Sequence, residues 1–172
     1  SSLNLDQLDL GWLPAELESH KLVFVNGRFD KDLSELGSFS KGIKVQPLSE
    51  MLRNEPAMLQ SYLGQVGSTK ELPVLALNTA FIEDGFVILI ENAALDKPVE
   101  VIYISQGNGN TAYHPRNLVV AKDSASVTIL ERNIGIGDGP YLVNNVTEII
   151  VDDDSSVKHY RLLEDNIGGV NL

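Results

Sequence analysis

The chain has 172 residues, 43% of them hydrophobic, so it is long enough to bury one good-sized core. Its 13 Lys and Arg residues against 24 Asp and Glu residues give a net charge of -11, which repels polyanions and argues against nucleic acid as a partner. The absence of cysteine excludes a disulfide framework, a thiolate nucleophile and a metal site with cysteine ligands made by this chain alone.

Neither a membrane span nor a secretory signal is predicted. The longest apolar runs, such as residues 86–90, are far shorter than the roughly 20 residues that cross a bilayer. Residues 1–6 lack the basic region followed by an apolar stretch that marks a secretory signal. We therefore expect no membrane partner and a location in the cytoplasm or the stroma of an organelle.

Residues 1–85 have the pattern of a small α/β region that begins with a hairpin. Residues 22–25 form a short apolar strand, and Asn26-Gly27 is the dipeptide best suited to the positive φ angles of a tight turn. Phe29 should then begin the return strand. A further short strand is predicted over residues 42–46.

Helices are predicted in the second half of this region. Ser49 can cap a helix that begins near Glu50, and Pro56 is expected to break it into two short helices. After a stretch typical of a linker, residues 74–81 predict a buried helix, which Asp84-Gly85 should end.

Residues 86–172 contain a weak repeat with an offset of 30 residues. Short runs rich in Val, Ile and Thr alternate here with polar turns, and no further helix is indicated. Residues 123–127 align with residues 153–157, so Val127 should lie directly above or below Val157. The same offset matches Val119 with Ile149, Val120 with Ile150, Ala121 with Val151, and Leu130 with Tyr160.

The repeat predicts a mainly β fold in which neighbouring units stack. A looser earlier copy places Val99 at an offset of 28. One unit of strand, turn and strand has too little apolar surface to bury alone, so we expect a β-solenoid over residues 86–172. A β-sandwich is the structural alternative, since strands about a dozen residues apart would also suit it.

No motif in the chain predicts a catalytic, cofactor-binding or metal-binding residue. The glycine-rich residues 135–140 lack the Lys-Ser/Thr of a phosphate loop and precede a predicted strand, so a solvent loop is expected, as for residues 106–110. Residues 152–154, three aspartates, should form a solvated turn. No arrangement of serine, histidine and carboxylate can be assigned.

The three histidines are too scattered for a metal site. His20, His114 and His159 show no ligand spacing. At the 30-residue offset His159 matches Ile129, which favours packing on a coil face. His114 lies among hydrogen-bonding groups, and a loop histidine with satisfied nitrogens is the preferred interpretation.

Three ordered segments, residues 113–121, 126–131 and 143–149, resemble the core of the SufB/SufD family of iron-sulfur cluster assembly proteins. Upstream, residues 22–29 and 76–81 resemble the part of the SufD branch that precedes this core. The resemblance spans most of the chain and favours the SufD branch over the SufB branch.

The resemblance implies a right-handed parallel β-helix and a role as scaffold in a cytoplasmic or plastid complex with SufB and the ATPase SufC. Such a complex builds iron-sulfur clusters and passes them to apoproteins. The chain itself would be neither an enzyme nor a cluster ligand, because clusters are held by cysteine thiolates, sometimes with histidine. The family histidine associated with cluster assembly belongs to a later part of these proteins, so its role is not transferred to His114 or His159.

A β-helical carbohydrate-active or binding module is the alternative function. Glu131, Glu148, Lys158 and Arg161 could gather on one sheet face for such chemistry. Only 6% of residues are aromatic, which argues against the stacking platforms that a carbohydrate site needs.

The chain stops at Leu172, just after a predicted strand over residues 157–163. An uncovered solenoid end exposes backbone groups and apolar surface. We therefore expect either self-association through this end or excision from a longer protein.

Overall fold

The computed structural model describes residues 17–107 and 109–172, and this part of the chain is mainly β. Residues 1–6, examined above for a signal, lie outside it, as does Asn108 of the predicted loop. The strands are β1 His20–Val25, β2 Arg28–Phe29, β3 Ile43–Pro47, β4 Phe86–Glu91, β5 Val99–Gln106, β6 Thr111–Tyr113, β7 Arg116–Lys122, β8 Ser126–Ile136, β9 Tyr141–Val143, β10 Val146–Val151, β11 Ser156–Glu164 and β12 Gly169–Asn171. The helices are α1 Leu48–Asn54, α2 Pro56–Gln60 and α3 Pro73–Phe81.

The strands form three sheets that the chain visits in turn. Sheet A has the order β11-β8-β5-β1-β2, sheet B the order β10-β7-β4-β3, and sheet C the order β12-β9-β6. From β5 onward the chain passes through A, C and B repeatedly, and each pass lies parallel to the one before it. The antiparallel pairs are β1 with β2 and β3 with β4.

The predicted 30-residue register is confirmed. Val127 pairs with Val157 in sheet A, and the other four matched pairs of the repeat also lie side by side. Parallel pairing throughout the repeat argues against a sandwich of antiparallel sheets. The earlier offset of 28 is wrong, because Val99 pairs with Ile129. A slip of two residues keeps every side chain on the same face, so the pattern of apolar residues could not reveal it.

The core lies between sheets A and B, where alternate side chains of each strand point inward. Among the core side chains are Leu22, Phe24, Ile88, Val99, Val101, Val119, Val127 and Ile129, all at most 2% exposed. A second cluster lies on the other face of sheet B, where α1 and α2 place Leu48, Met51 and Leu59 over Val87, Leu118 and Val120. Helices α1 and α2 thus cover the outer face of sheet B, and the core between sheets A and B is formed by strand residues.

The predicted hairpin and the break at Pro56 are confirmed. Asn26 and Gly27 turn with φ angles of 52° and 78°, and β2 returns against β1. Helix α1 ends at Asn54 and α2 begins at Pro56. Strand β1 pairs with β5 of sheet A and β3 pairs with β4 of sheet B, so residues before 85 contribute to both sheets. The domain boundary at residue 85 stays a prediction.

Two details of the helices were predicted wrongly. Ser49 is not the N-cap, because α1 begins at Leu48; its backbone N–H and hydroxyl instead donate to the Asp84 carboxylate at 2.9 and 3.0 Å. Asp84 thereby satisfies a donor of the first turn. The predicted buried helix, α3, buries only Leu75 and Asn78, because a single side of it faces the sheets.

None of the helices in the described ranges has the length and hydropathy needed to span a bilayer.

Candidate functional site

The interior between sheets A and B changes from apolar to polar toward the side where sheet C lies. Along β8 the inward side chains are Val127, Ile129, Glu131 and Asn133 in succession. Both polar residues are at most 2% exposed. A buried carboxylate in this position must be compensated by hydrogen bonds and charges, or it would not remain ionised.

Asn117 in β7 organises the first half of this polar interior. Its Oδ1 accepts hydrogen bonds from the Tyr103 hydroxyl at 2.6 Å and from the Phe86 backbone N–H at 3.0 Å. Its Nδ2 donates to Asn145 at 2.7 Å and to Thr147 at 3.1 Å. The amide therefore uses both acceptor and both donor positions, and it joins β4, β5, β7 and β10.

Glu131 organises the second half. Its Oε1 accepts hydrogen bonds from Asn145 at 2.8 Å and Asn133 at 3.0 Å and lies 3.0 Å from Arg161 Nε. Its Oε2 lies 3.0 Å from His159 Nε2. Asn145 contacts both Asn117 and Glu131, so the two halves form one chain of hydrogen bonds. We call these residues the polar core network: Tyr103, Asn117, Glu131, Asn133, Asn145, Thr147, His159 and Arg161.

The negative charge of Glu131 is compensated inside the network by the Arg161 guanidinium and by hydrogen-bond donors. Burial by itself raises the pKa of Glu131, but the hydrogen bonds from His159 and Asn133 and the charge of Arg161 outweigh it and lower the pKa. Burial, followed by the negative charge of Glu131, raises the pKa of Tyr103 well above its usual value. The network therefore contains an ionised carboxylate beside a neutral phenol. Both oxygens of the Glu131 carboxylate already accept hydrogen bonds from protein groups, and its pKa is lowered, so it is a poor general base.

A second buried cluster holds the helical layer to the sheets. Arg116 Nη2 and Nε donate to Glu148 Oε1 at 2.5 and 3.1 Å, and both side chains are about 95% buried. The Glu148 carboxylate also accepts from the backbone N–H groups of Gly64 and Val66, at 2.9 and 3.2 Å. Asn78 of α3 accepts from Arg116 Nη1 at 3.3 Å. One ion pair thus fixes both the loop after α2 and helix α3.

The cluster considered for carbohydrate chemistry does not form. Of its members, Glu131 and Arg161 meet in the polar core network, Glu148 pairs with Arg116, and Lys158 lies exposed on β11. His159 pairs with Ile129 in register as predicted, but its contact with Glu131 was missed. The sequence contained a signal for this contact. Val127, Ile129, Glu131 and Asn133 alternate along one strand, which indicates that the two polar residues point into the core like the two apolar ones.

His114 differs from the prediction of a satisfied loop histidine. Its ring lies 5.5 Å from the ring of Phe81, and its buried Nδ1 has no hydrogen-bond partner among the described residues. Burial lowers its pKa, partly offset by Glu83. Within residues 17–107 and 109–172, no group of three or more His, Asp or Glu side chains could hold a metal ion. The predicted solvent loop over residues 135–140 is partly wrong, because residues 135 and 136 belong to β8; residues 137–140 form the loop before β9, where the Gly139 N–H donates to the Gly107 carbonyl at 2.8 Å. Residues 152–154 form an exposed turn, as predicted.

Replacing Glu131 by glutamine is expected to remove an acid-sensitive part of the stability. Because the folded pKa of Glu131 is lowered, its contribution is present above the usual pKa of 4.5 and is lost as pH falls through the folded value. Glu131→Gln should therefore cost roughly 1–3 kcal/mol at pH 7 and progressively less in acid. Urea unfolding at a series of pH values measures this, with the exposed Asp153→Asn as control. A difference from wild type that stays constant down to pH 3 would contradict the assignment.

Two family models match the chain. Residues 14–101 match the SufBD protein N-terminal region, and residues 103–172 match the SufBD core domain of the SUF system of FeS cluster assembly. Together they cover most of the chain, including the three helices and the repeat.

Curated relatives agree with these models. The iron-sulfur cluster assembly SufBD family protein slr0076 of Synechocystis is 30% identical over 96% of this chain and 38% of its own length. Iron-sulfur cluster assembly protein SufD of Bacillus subtilis is 27% identical over 69% of this chain and 28% of its own length. The chain thus spans well under half of either relative. By its family models and its relatives, the chain belongs to the SufBD family of iron-sulfur cluster assembly proteins.

Proposed function

We propose that this chain is part of a non-catalytic scaffold subunit of the SufD type, which acts in a complex with homologues of SufB and of the ATPase SufC. In this proposal the three sheets are the faces of a right-handed parallel β-helix, and each pass of the chain through them from β5 onward is one coil. The observation that carries the non-catalytic role is the polar core network, in which the buried Glu131 carboxylate has four polar partners within the protein. A carboxylate held in this way serves the fold rather than a reaction.

The iron-sulfur cluster is cargo of the complex in this proposal and is not held by this chain. Thiolates are the usual cluster ligands, and the sequence contains no cysteine. A nucleotide is also disfavoured, because the glycine-rich loop leads into β9 rather than into the N-terminus of a helix. The proposed place of action is the cytoplasm or a plastid stroma.

Anaerobic reconstitution of the isolated chain with iron and sulfide is expected to leave no bound cluster after desalting. The reason is the lack of thiolate ligands. Visible absorption and iron analysis of the desalted protein measure the result, and a cysteine-containing cluster protein treated in parallel is the control. Iron bound at a fixed stoichiometry with cluster absorption would contradict the proposal that this chain supplies no cluster ligand.

Co-purification tests the partners. The full-length protein, SufB and SufC homologues from the same organism are co-expressed, with an affinity tag on this protein alone. We expect both partners to be retained in a fixed ratio through size-exclusion chromatography. Leu52→Asp, a change at an exposed position of α1, should leave that ratio unchanged and serves as a surface control.

Failure to retain either homologue, while SufB and SufC homologues still bind each other, would refute the proposed complex. ATP hydrolysis that persists in the protein purified without the SufC homologue would refute the non-catalytic role.

A further inference from the structure

Helix α3 presents an apolar face that the rest of residues 17–107 and 109–172 leaves exposed. Val74, Leu77 and Phe81 are 44%, 40% and 59% exposed and lie three and four residues apart, so they share one side of the helix. No charged residue occurs in Pro73–Phe81. A surface helix normally turns charged and polar residues outward, so this face is unusual for a helix exposed to water.

Sheet C continues the apolar surface beside α3. The register of β6, β9 and β12 places Ala112, Leu142 and Val170 in one row across the sheet. Between the helix and this row lies a cavity of about 380 Å³. We call it the α3 groove; its lining includes Leu77, Phe81, Ala112, His114 and Leu142. Contiguous apolar surface with a concave centre is typical of sites that bind proteins.

The charge around the groove discriminates among possible occupants. Glu83 is the carboxylate among its lining residues and is 54% exposed. Arg28 pairs with it at 3.1 Å but is 74% exposed, and such surface pairs are weak enough for a partner to compete with them. The whole chain carries a net charge of -11, so two copies would repel each other on approach.

We propose that the α3 groove binds an amphipathic helix of a partner protein, with an apolar face and Lys or Arg residues on its flanks. The apolar side chains of such a helix pack against Leu77, Phe81 and Leu142, as in other complexes where a helix lies in a groove. Its basic flank faces Glu83 and the negative field of the chain. This surface is distinct from the polar core network and is independent of the proposed complex with SufB and SufC.

The test uses the full chain and two synthetic helical peptides with leucines three and four residues apart. One peptide carries lysines on its flanks and the other carries glutamates. Fluorescence anisotropy of the labelled peptides measures affinity against wild type, Leu77→Asp and Phe81→Ala. Met58→Asp is the matched control, because Met58 of α2 is 40% exposed like Leu77 but lines a different cavity.

We expect the affinity of the lysine peptide for Met58→Asp to lie within about twofold of its affinity for wild type. Its affinity for Leu77→Asp should be about tenfold or more lower than for wild type. Phe81→Ala should also weaken binding, and circular dichroism melting should show that these variants remain folded. The glutamate peptide should bind about tenfold more weakly at low salt, with the difference shrinking as salt rises.

Three results would overturn the proposal. The first is no binding of the lysine peptide, and the second is equal loss in Leu77→Asp and Met58→Asp. The third is a concentration-dependent dimer of wild type that Leu77→Asp abolishes in sedimentation, which would make a second copy the occupant.

Discussion

Replacing Glu148 by alanine is expected to destabilise the protein by about 3–5 kcal/mol, because it leaves the buried Arg116 guanidinium without its counter-charge. The variant also removes the acceptor for the backbone N–H groups of Gly64 and Val66. Urea unfolding at neutral pH measures the loss. Hydrogen exchange should show faster exchange of these two amides than of the β8 amides.

Two further variants test whether the loss of stability in Glu148→Ala comes from the buried ion pair with Arg116 or from the loss of any carboxylate. Glu83→Ala breaks the exposed pair with Arg28 and should cost far less stability than Glu148→Ala, because water already screens the two charges. The double variant Arg116→Met with Glu148→Leu should be less destabilised than Glu148→Ala, since no uncompensated charge remains buried. A Glu148→Ala loss no larger than that of Glu83→Ala would show that the pair does not anchor the helical layer.

Replacing Asn117 by leucine should cost about 3 kcal/mol or more. The substitution leaves the Phe86 N–H and the Tyr103 hydroxyl buried without an acceptor, at about 1–3 kcal/mol for each group. It also removes the donors to Asn145 and Thr147 on the next pass of the chain. Chemical unfolding monitored by circular dichroism measures the change.

Thr147→Val is the control for the Asn117 variant, because it removes a single acceptor and should cost about 1 kcal/mol. Adding Tyr103→Phe to Asn117→Leu removes one of the two orphaned groups and should recover part of the loss. Equal stability of the single and double variants would mean that the hydroxyl finds another partner. A neutral Asn117→Leu would contradict the role given to the polar core network.

Local chemistry in the sequence predicted the hairpin and the break between α1 and α2, and the repeat predicted the register of β10 against β7 and of β11 against β8, whereas the register of β5 against β8 was predicted wrongly. Asn26-Gly27 turns the chain because both residues accept positive φ, and Pro56 separates α1 from α2 because it cannot continue the hydrogen bonds of a helix. The 30-residue match between residues 123–127 and 153–157 predicted the pairing of β8 with β11. The prediction is correct because parallel strands of successive repeats lie side by side with equivalent positions paired. The length of the repeat therefore gives the offset between paired residues.

Tertiary structure alone decided which polar residues meet and which helix faces are covered. Arg116 and Glu148 are 32 residues apart and Asn145 and Glu131 are 14 apart, so neither contact follows from a helix or strand period. The apolar residues of α3 predicted a buried helix, yet only Leu75 and Asn78, on one side of it, are buried. The apolar composition of a helix indicates how much free energy its burial could contribute. Which of its faces are buried depends on how the helix packs against its neighbours, and that packing depends on the whole chain.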